Sequence, residues 1–286
     1  MLRMRRSLLL GSLAAGLSRS LWAHGDHPPP LQFGLMPYLS TQTLIGTYQP
    51  LVEFLRKTLA QPLQSTTAQD FPTFMKRVDR GEYDLALIAP HFAQLAQRDY
   101  GYQAILTHSE PIRSLLVVDR THPLPQPGEL KGQAIAIADR SGAVVIAGIA
   151  ALSAEGLESG RDYRLQENAT QSSALHSVLA GQTRAAIISA ATLNLAPAEI
   201  KAEVTVVREL ARLPGLYYIA HNRLTAQRRQ AVKAALRLFE TTREGQAFFR
   251  RTGHGGFREP MPEDSMQLDR LLPETRRQLH LPASRR

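Results

Sequence analysis

Residues 130–145 read LKGQAIAIADRSGAVV, and this stretch decides the fold class. The apolar run at 134–138 predicts a buried strand, after which the chain turns and begins a helix at Ser141-Gly142. The first N–H groups of a helix have no partner within it and carry the positive end of its dipole. A small anion could therefore bind here, close to the Ser141 hydroxyl and to Arg140. An ordinary helix cap formed by Ser141 is the simpler interpretation of the stretch alone.

Strands and helices alternate on both sides of this stretch. Predicted strands cover residues 31–36, 63–68, 85–89, 114–119, 134–138, 163–166, 185–189, 204–208 and 216–220. Predicted helices cover residues 44–59, 71–78, 143–152 and 172–180, with another beginning at Pro90 and helical sequence after residue 220. Pro50 lies within the first helix, which is therefore expected to kink or to divide into two pieces. The alternation is typical of an α/β protein with parallel sheets.

The order of these segments predicts two lobes. The chain builds one α/β set, crosses to a second set after a loop that is rich in proline, and then returns to the first. We predict a first lobe from residues 31–112 and 214–286, and a second lobe from residues 113–213. Each lobe is expected to hold a mostly parallel sheet flanked by helices. Two hinge crossings between lobes are what a cleft needs if it is to close on a ligand.

The first 23 residues predict an export signal peptide. Arg3, Arg5 and Arg6 precede an apolar run at 8–17, and small residues up to Ala23 offer a cleavage site. The run is too short to cross a bilayer. The adjacent arginines fit a twin-arginine signal as well as a Sec signal, so both routes stay open. A periplasmic location is expected, and the protein must fold without disulfides because it has no cysteine.

Residues 24–30 form a proline-rich stretch that predicts a flexible leader. His24 and His27 flank Asp26 and could bind copper or zinc. A disordered tail is the simpler explanation, because no further metal-binding side chains lie nearby in the sequence. No metal site and no cofactor are therefore predicted.

Charge and motifs exclude other classes of function. Residues 1–23 contain four arginines and no acidic residue, so their removal lowers the net charge from +9 to +5. This excess is small, and no basic run is interleaved with aromatic residues, which argues against a nucleic-acid partner. The sequence contains no G-x-S-x-G elbow, H-E-x-x-H helix or Walker loop. A monomeric binding protein without enzymatic activity is expected.

Several segments, in their order along the chain, resemble a known family. They are residues 33–38, 48–55, 70–71, 80–86, 130–132, 181–186 and 216–218, together with the basic C-terminal helices. These segments are similar to the solute-binding proteins of ABC transporters for phosphonate, phosphite and phosphate, a branch of the type II periplasmic binding fold. The resemblance implies an exported protein that captures a small oxyanion between two lobes and delivers it to an ABC permease in the inner membrane. The alternatives are a sensory partner that acts in trans on a membrane sensor, and a binder of another small organic ligand such as a sulfonate.

The resemblance also implies which residues contact the ligand. They are Tyr38, Asp70, Phe71, His91, Arg140, Ser141, Gly142, Ala143, Thr170, Gln171 and Ser172. His91 follows a strand where many relatives carry an aromatic residue, and residues 140–143 replace the run of hydroxyls found in phosphonate binders. Gln171 stands where family members commonly carry a histidine, and its amide is neutral at every pH. The expected pocket therefore departs from the usual phosphonate pocket.

Overall fold

A computed structural model describes residues 29–124 and 126–283. The predicted signal peptide at 1–23, the His24 and His27 pair, and most of the predicted leader at 24–30 lie outside these residues. Within the described residues, no helix is both long enough and apolar enough to cross a membrane.

The first lobe is built on a mixed sheet. Its strands are β1 (Leu31–Leu35), β2 (Leu63–Thr66), β3 (Leu85–Ile88), β4 (Tyr102–His108), β10 (Tyr217–His221) and β11 (Phe257–Arg258). They lie in the order β11-β4-β10-β3-β1-β2. β1 pairs in parallel with β2 and β3, whereas β10 runs antiparallel to β3 and β4. The accompanying helices are α1 (Thr41–Thr58), α2 (Phe71–Asp79), α3 (Pro90–Asp99), α8 (Ala226–Thr241), α9 (Arg243–Thr252), α10 (Pro262–Asp269) and α11 (Leu272–Gln278).

The second lobe is built on another mixed sheet. Its strands are β5 (Ile112–Asp119), β6 (Ala134–Ile137), β7 (Arg164–Glu167), β8 (Ala185–Ser189) and β9 (Val204–Leu213), in the order β7-β6-β8-β5-β9. β6 pairs in parallel with β7 and β8, whereas β5 runs antiparallel to β8 and β9. The accompanying helices are α4 (Ala143–Ala154), α5 (Gln171–Leu179), α6 (Ala190–Leu195) and α7 (Ala198–Glu203).

The predicted fold class of two α/β lobes is confirmed, but the sheets are mixed rather than mostly parallel. Parallel pairing needs a crossover connection, usually a helix, between the two strands. The chain passes from β4 to β5 and from β9 to β10 without a helix, and these four strands all take part in antiparallel pairs. β4 was not predicted from the sequence. α1 is one helix that continues through Pro50, not two pieces.

The central strands β3, β6 and β8 are buried along their whole length, and β5 is buried over most of its length. In β5, Leu116 and Val118 contribute to one core cluster, which includes α4. Leu115 and Val117 point to the opposite face and join a second cluster with α5. This burial explains why β5 appears in the sequence as a continuous apolar run rather than as an alternating one.

Two hinge crossings connect the lobes, at residues 109–111 between β4 and β5 and at residues 214–216 between β9 and β10. They lie side by side, because the His108 N–H donates to the Leu216 carbonyl at 2.9 Å. Gly215 touches the first crossing so closely that a Cβ atom there would lie 2.4 Å from the His108 carbonyl oxygen. The predicted lobe boundaries lie at or next to these crossings, and we keep them as a proposal. The first lobe then contains residues 31–112 and 214–286, and the second lobe contains residues 113–213.

Candidate ligand-binding cleft

A cleft lies between the two lobes, beside the hinge crossings. It contains about 840 Å³ of space free of protein atoms, including the part that is open to solvent. The first lobe and the second crossing contribute Met36, Tyr38, Phe71, Ala89, Leu216, Gly253 and His254 to its lining. The first crossing and β5 contribute residues 110–113, and the second lobe contributes residues 142–144, Gln171, residues 189–191 and Asn194. Both lobes therefore face the same space.

The beginning of α4 supplies backbone donors to the cleft. Gly142 is the N-cap residue, and its carbonyl accepts hydrogen bonds from Val145 and Ile146. Among the described residues, the N–H groups of Ala143 and Val144 have no acceptor. Free N–H groups at the positive end of a helix dipole are suited to hold an anion.

The side chains of Arg140 and Ser141, which precede α4, bind other residues of the second lobe instead of facing the cleft. The Ser141 hydroxyl donates to Asp139 Oδ1 at 2.5 Å, and Ser141 neither caps α4 nor lines the cleft. Arg140 Nε donates to Glu167 Oε1 at 2.6 Å, also away from the lining. The Asp139 carboxylate accepts hydrogen bonds from Ser141, two residues ahead, and so forms a local turn. Such a turn uses the Ser141 hydroxyl that could otherwise cap the helix. From residues 140–143, only Gly142 and Ala143 reach the cleft.

Gln171 lines the cleft and connects two helix beginnings of the second lobe. Its Oε1 accepts from the Ser189 N–H at 2.7 Å and from the Thr192 hydroxyl at 2.8 Å. In the described part of the chain, its Nε2 group donates to no acceptor, so it is available to a ligand. Thr170 caps α5 by accepting from the Ser173 N–H at 3.1 Å. Neither Thr170 nor Ser172 lines the cleft.

Asp70 and Phe71 are neighbours in the sequence, but only Phe71 lines the cleft. Asp70 caps α2, because its Oδ1 accepts from the Thr73 N–H at 2.7 Å, and it does not line the cleft. Phe71 does line the cleft, with its ring edge against Phe92 at a centroid distance of 5.8 Å. A Cβ atom on Gly142 would lie 3.4 Å from the Phe71 ring, so the two lobes are in contact here.

His91 joins the lobes instead of lining the cleft. It is fully buried in α3 of the first lobe, and its Nε2 donates to the Ser141 carbonyl of the second lobe at 2.7 Å. Burial lowers the pKa of His91 to about 4, so the ring is neutral at neutral pH. Two residues that were predicted to bind the ligand thus bind each other across the cleft edge.

A polar network at the floor of the cleft is uncharged. The hydroxyls of Tyr38 and Tyr48 lie 2.8 Å apart, and His254 Nε2 lies 3.2 Å from the Tyr48 hydroxyl. The His254 ring stacks on buried His108 with centroids 4.4 Å apart. Burial lowers the pKa of His254 to about 4 and raises the pKa of Tyr38. Both side chains are therefore neutral at neutral pH.

Two charged side chains, Glu110 and Arg113, belong to the described lining, and neither was predicted from the sequence. Arg113 Nη1 lies 3.6 Å from Glu209 Oε2. Both residues follow β4, which was not predicted, whereas the predicted contacts lie mostly at turns between strands and helices. His254 was not among the predicted contacts either; its carbonyl accepts from the Glu110 N–H at 3.2 Å and so ties its loop to the first crossing. Nowhere in the described residues do three or more acidic or histidine side chains form a group that could hold a metal ion.

Comparison with known families identifies the chain. Residues 33–265 match the family described as ABC transporter, phosphonate, periplasmic substrate-binding protein. The chain belongs to this phosphonate-binding family. The match includes the strands of both sheets apart from the first two residues of β1, and it includes the whole cleft lining.

Solved structures of binding proteins share the fold of this family member. A binding-protein component of an ABC phosphonate transporter from Pseudomonas aeruginosa has a TM-score of 0.77 and 12% identity, with 87% of each chain covered. PhnD1 from Prochlorococcus marinus in complex with methylphosphonate has a TM-score of 0.75 and 11% identity, covering 87% of this chain and 98% of that one. A Xanthomonas citri protein bound to chloride has a TM-score of 0.70 and 15% identity, covering 87% and 98%. At such identities the likeness shows the fold alone, and no curated protein matches the sequence.

Proposed function

We propose that this protein captures a small oxyanion of the phosphonate class in the interlobe cleft and delivers it to an ABC permease of the inner membrane. Membership in the phosphonate-binding family supports this class of ligand. The observation that carries the proposal is the meeting of the free Ala143 and Val144 N–H groups with Arg113 in one cleft. We further propose that the protein acts as a periplasmic monomer, exported through a Sec or Tat signal.

Binding of this kind needs hydrogen bonds and charge complementarity, and it makes or breaks no covalent bond of the ligand. The backbone N–H groups of α4, the Nε2 group of Gln171 and the Arg113 guanidinium can all donate to oxyanion oxygens. The proposal includes no catalytic step, no metal and no cofactor. Closure of the lobes would remove the ligand from water and strengthen each of these contacts.

The proposed contacts differ from those implied by the resemblance. We retain Tyr38, Phe71, Gly142, Ala143 and Gln171, which line the cleft, and we add Arg113. The remaining predicted residues lie outside the lining, and we leave them out of the site. Asp70 and Thr170 cap helices, and Ser141 forms a local turn. His91 joins the lobes, Arg140 pairs with Glu167, and Ser172 is exposed.

Replacement of Arg113 tests the proposal. Arg113→Gln is expected to weaken the binding of methylphosphonate by about ten- to a hundredfold, because a charged hydrogen bond contributes about 1.5–3 kcal/mol. Arg140→Gln is the matched control, since this arginine lies outside the lining. Isothermal titration calorimetry with methylphosphonate, phosphite, phosphate and sulfate measures both effects. The proposed ligand class is wrong if none of these anions binds, and the proposed site is wrong if Arg140→Gln weakens binding and Arg113→Gln does not.

Replacement of His91 tests lobe closure. His91→Ala leaves the buried Ser141 carbonyl without its donor, at a cost of about 1–3 kcal/mol to the arrangement in which the lobes touch. We expect the apparent affinity for methylphosphonate to fall by about five- to a hundredfold, since a smaller fraction of the protein is competent to bind. His91→Gln, which keeps an N–H donor on a side chain of similar length, is expected to retain most of the affinity. Equal affinities of the wild type and His91→Ala would show that the hydrogen bond does not contribute to closure.

A further inference from the structure

The cleft lining carries no net charge from its side chains. Arg113 is balanced by Glu110 within the described lining, and Glu209, which pairs with Arg212 at 2.9 Å, also lies 3.6 Å from the Arg113 guanidinium. The other titratable side chains of this lining, partly buried Tyr38 and buried His254, are neutral at neutral pH. No lysine and no second arginine belong to the described lining.

This charge balance favours a ligand with a single negative charge. An anion that leaves water must recover its lost hydration from charges and hydrogen bonds of the protein. The helix dipole of α4 contributes the equivalent of about half a positive charge. Together with a partly neutralised Arg113, it can balance one negative charge but leaves the second charge of a dianion uncompensated.

One wall of the cleft offers no hydrogen bonds from side chains. Met36, Phe71, Pro111, Ile112 and Leu216 form this apolar wall, which comes from the first lobe, the crossings and the first residue of β5. Inorganic phosphate exposes oxygen on every side, so part of it would face this wall without a donor. A ligand with an apolar substituent would instead remove hydrocarbon surface from water there.

The hydroxyl groups of the lining do not change this balance, because they already have partners. The Ser189 hydroxyl lies 2.9 Å from the Thr192 hydroxyl and accepts from the Thr192 N–H at 3.1 Å. The Tyr38 hydroxyl lies 2.8 Å from that of Tyr48. Among the described residues of the second-lobe lining, the donors without a partner are the first N–H groups of α4 and α6 and the side-chain amides of Gln171 and Asn194. They all lie on the second-lobe side and suit one anionic group there.

We propose that the ligand is a singly charged oxyanion with an apolar substituent, such as the monoester of an alkylphosphonate or arylphosphonate. The anionic group would contact α4, Gln171 and Arg113, and the substituent would pack on the apolar wall. This inference rests on the proposed function and narrows its substrate class. Inorganic phosphate and small dianionic phosphonates are expected to bind more weakly.

Calorimetry with a ligand series tests the inference on the wild-type protein. At mildly alkaline pH, methylphosphonate is doubly charged and its monomethyl ester is singly charged, so the ester is expected to bind more tightly. Lengthening the alkyl group of the ester from methyl to butyl is expected to tighten binding by about fourfold for each methylene. Tighter binding of phosphate or methylphosphonate than of the butyl ester overturns the inference and leaves the proposed function intact. Failure of every phosphonate and phosphate to bind overturns the proposed function itself.

Two further arms make the result specific. Ile112→Thr is expected to reduce the gain from the butyl group, whereas Val206→Thr, a matched change at an exposed position of β9, is expected to leave it unchanged. Equal gains in the wild type and Ile112→Thr would show that the substituent does not lie on the apolar wall. 1-Butanesulfonate tests which acid group the cleft prefers. If it binds far more tightly than the butyl ester, the inferred single charge and apolar substituent are supported. The ligand class of the proposed function would then be a sulfonate instead of a phosphonate.

Discussion

Acidification from pH 7 to pH 4 is expected to lower the free energy of unfolding by about 3 kcal/mol for each of His91 and His254. Burial lowers the pKa of both side chains from the ordinary value of 6.5 to about 4. Between these pH values the unfolded chain binds a proton at each histidine and the folded protein does not. Stability is therefore complete above pH 6.5 and is lost as the pH falls toward 4.

Urea denaturation at several pH values between 7 and 4.5 measures this loss. His91→Gln and His254→Gln are expected to flatten the dependence, because glutamine can keep a hydrogen bond but does not titrate. His122→Gln removes an exposed histidine and serves as the control, since its side chain is 76% exposed. If the three variants and the wild type lose stability equally above pH 5, where carboxylates contribute little, His91 and His254 are not responsible.

Gly215→Ala is expected to destabilise the protein by about 3 kcal/mol or more. The new Cβ atom would lie 2.4 Å from the His108 carbonyl oxygen and 2.8 Å from the Glu110 carbonyl oxygen. Both contacts involve backbone atoms, so the clash cannot be relieved by rotating a side chain. The two crossings would have to separate, which breaks the hydrogen bond between His108 and Leu216.

Gly46→Ala is the matched control for the replacement of Gly215. Gly46 lies in α1 at an exposed position, and no atom lies within 4 Å of the place of its Cβ. Alanine there is expected to stabilise the helix by about 1 kcal/mol. Urea denaturation of both variants tests the argument. A Gly215→Ala protein as stable as the wild type would mean that the crossings can separate without cost.

The alternation of strands and helices was sufficient to predict two α/β lobes from the sequence. It was not sufficient to predict pairing at the crossings, because strands joined without a helix carry no local mark of their partners. β4 is the clearest case: its partners β10 and β11 lie more than a hundred residues further along the chain. Their pairing is a property of the folded chain as a whole.

The candidate site was only partly predictable for a related reason. The prediction located turns that reach the cleft, but most of the polar side chains named within them lie outside its lining. Asp70 and Thr170 each cap the N–H group three residues ahead, a spacing that could have been recognised as a helix cap. Arg113 could not have been identified this way, because its place in the lining depends on the hinge and on the meeting of two lobes.

The side-by-side hinge crossings also affect the thermodynamics of ligand capture. Two chain segments joined by a hydrogen bond hinder twisting and sliding of the lobes more than they hinder bending. Few relative degrees of freedom then remain to be lost when the cleft closes. Binding usually loses part of its free energy to such ordering, and a preorganised hinge reduces that loss. More of the interaction energy is then retained as affinity, which suits a cleft that offers one arginine and a few backbone N–H groups.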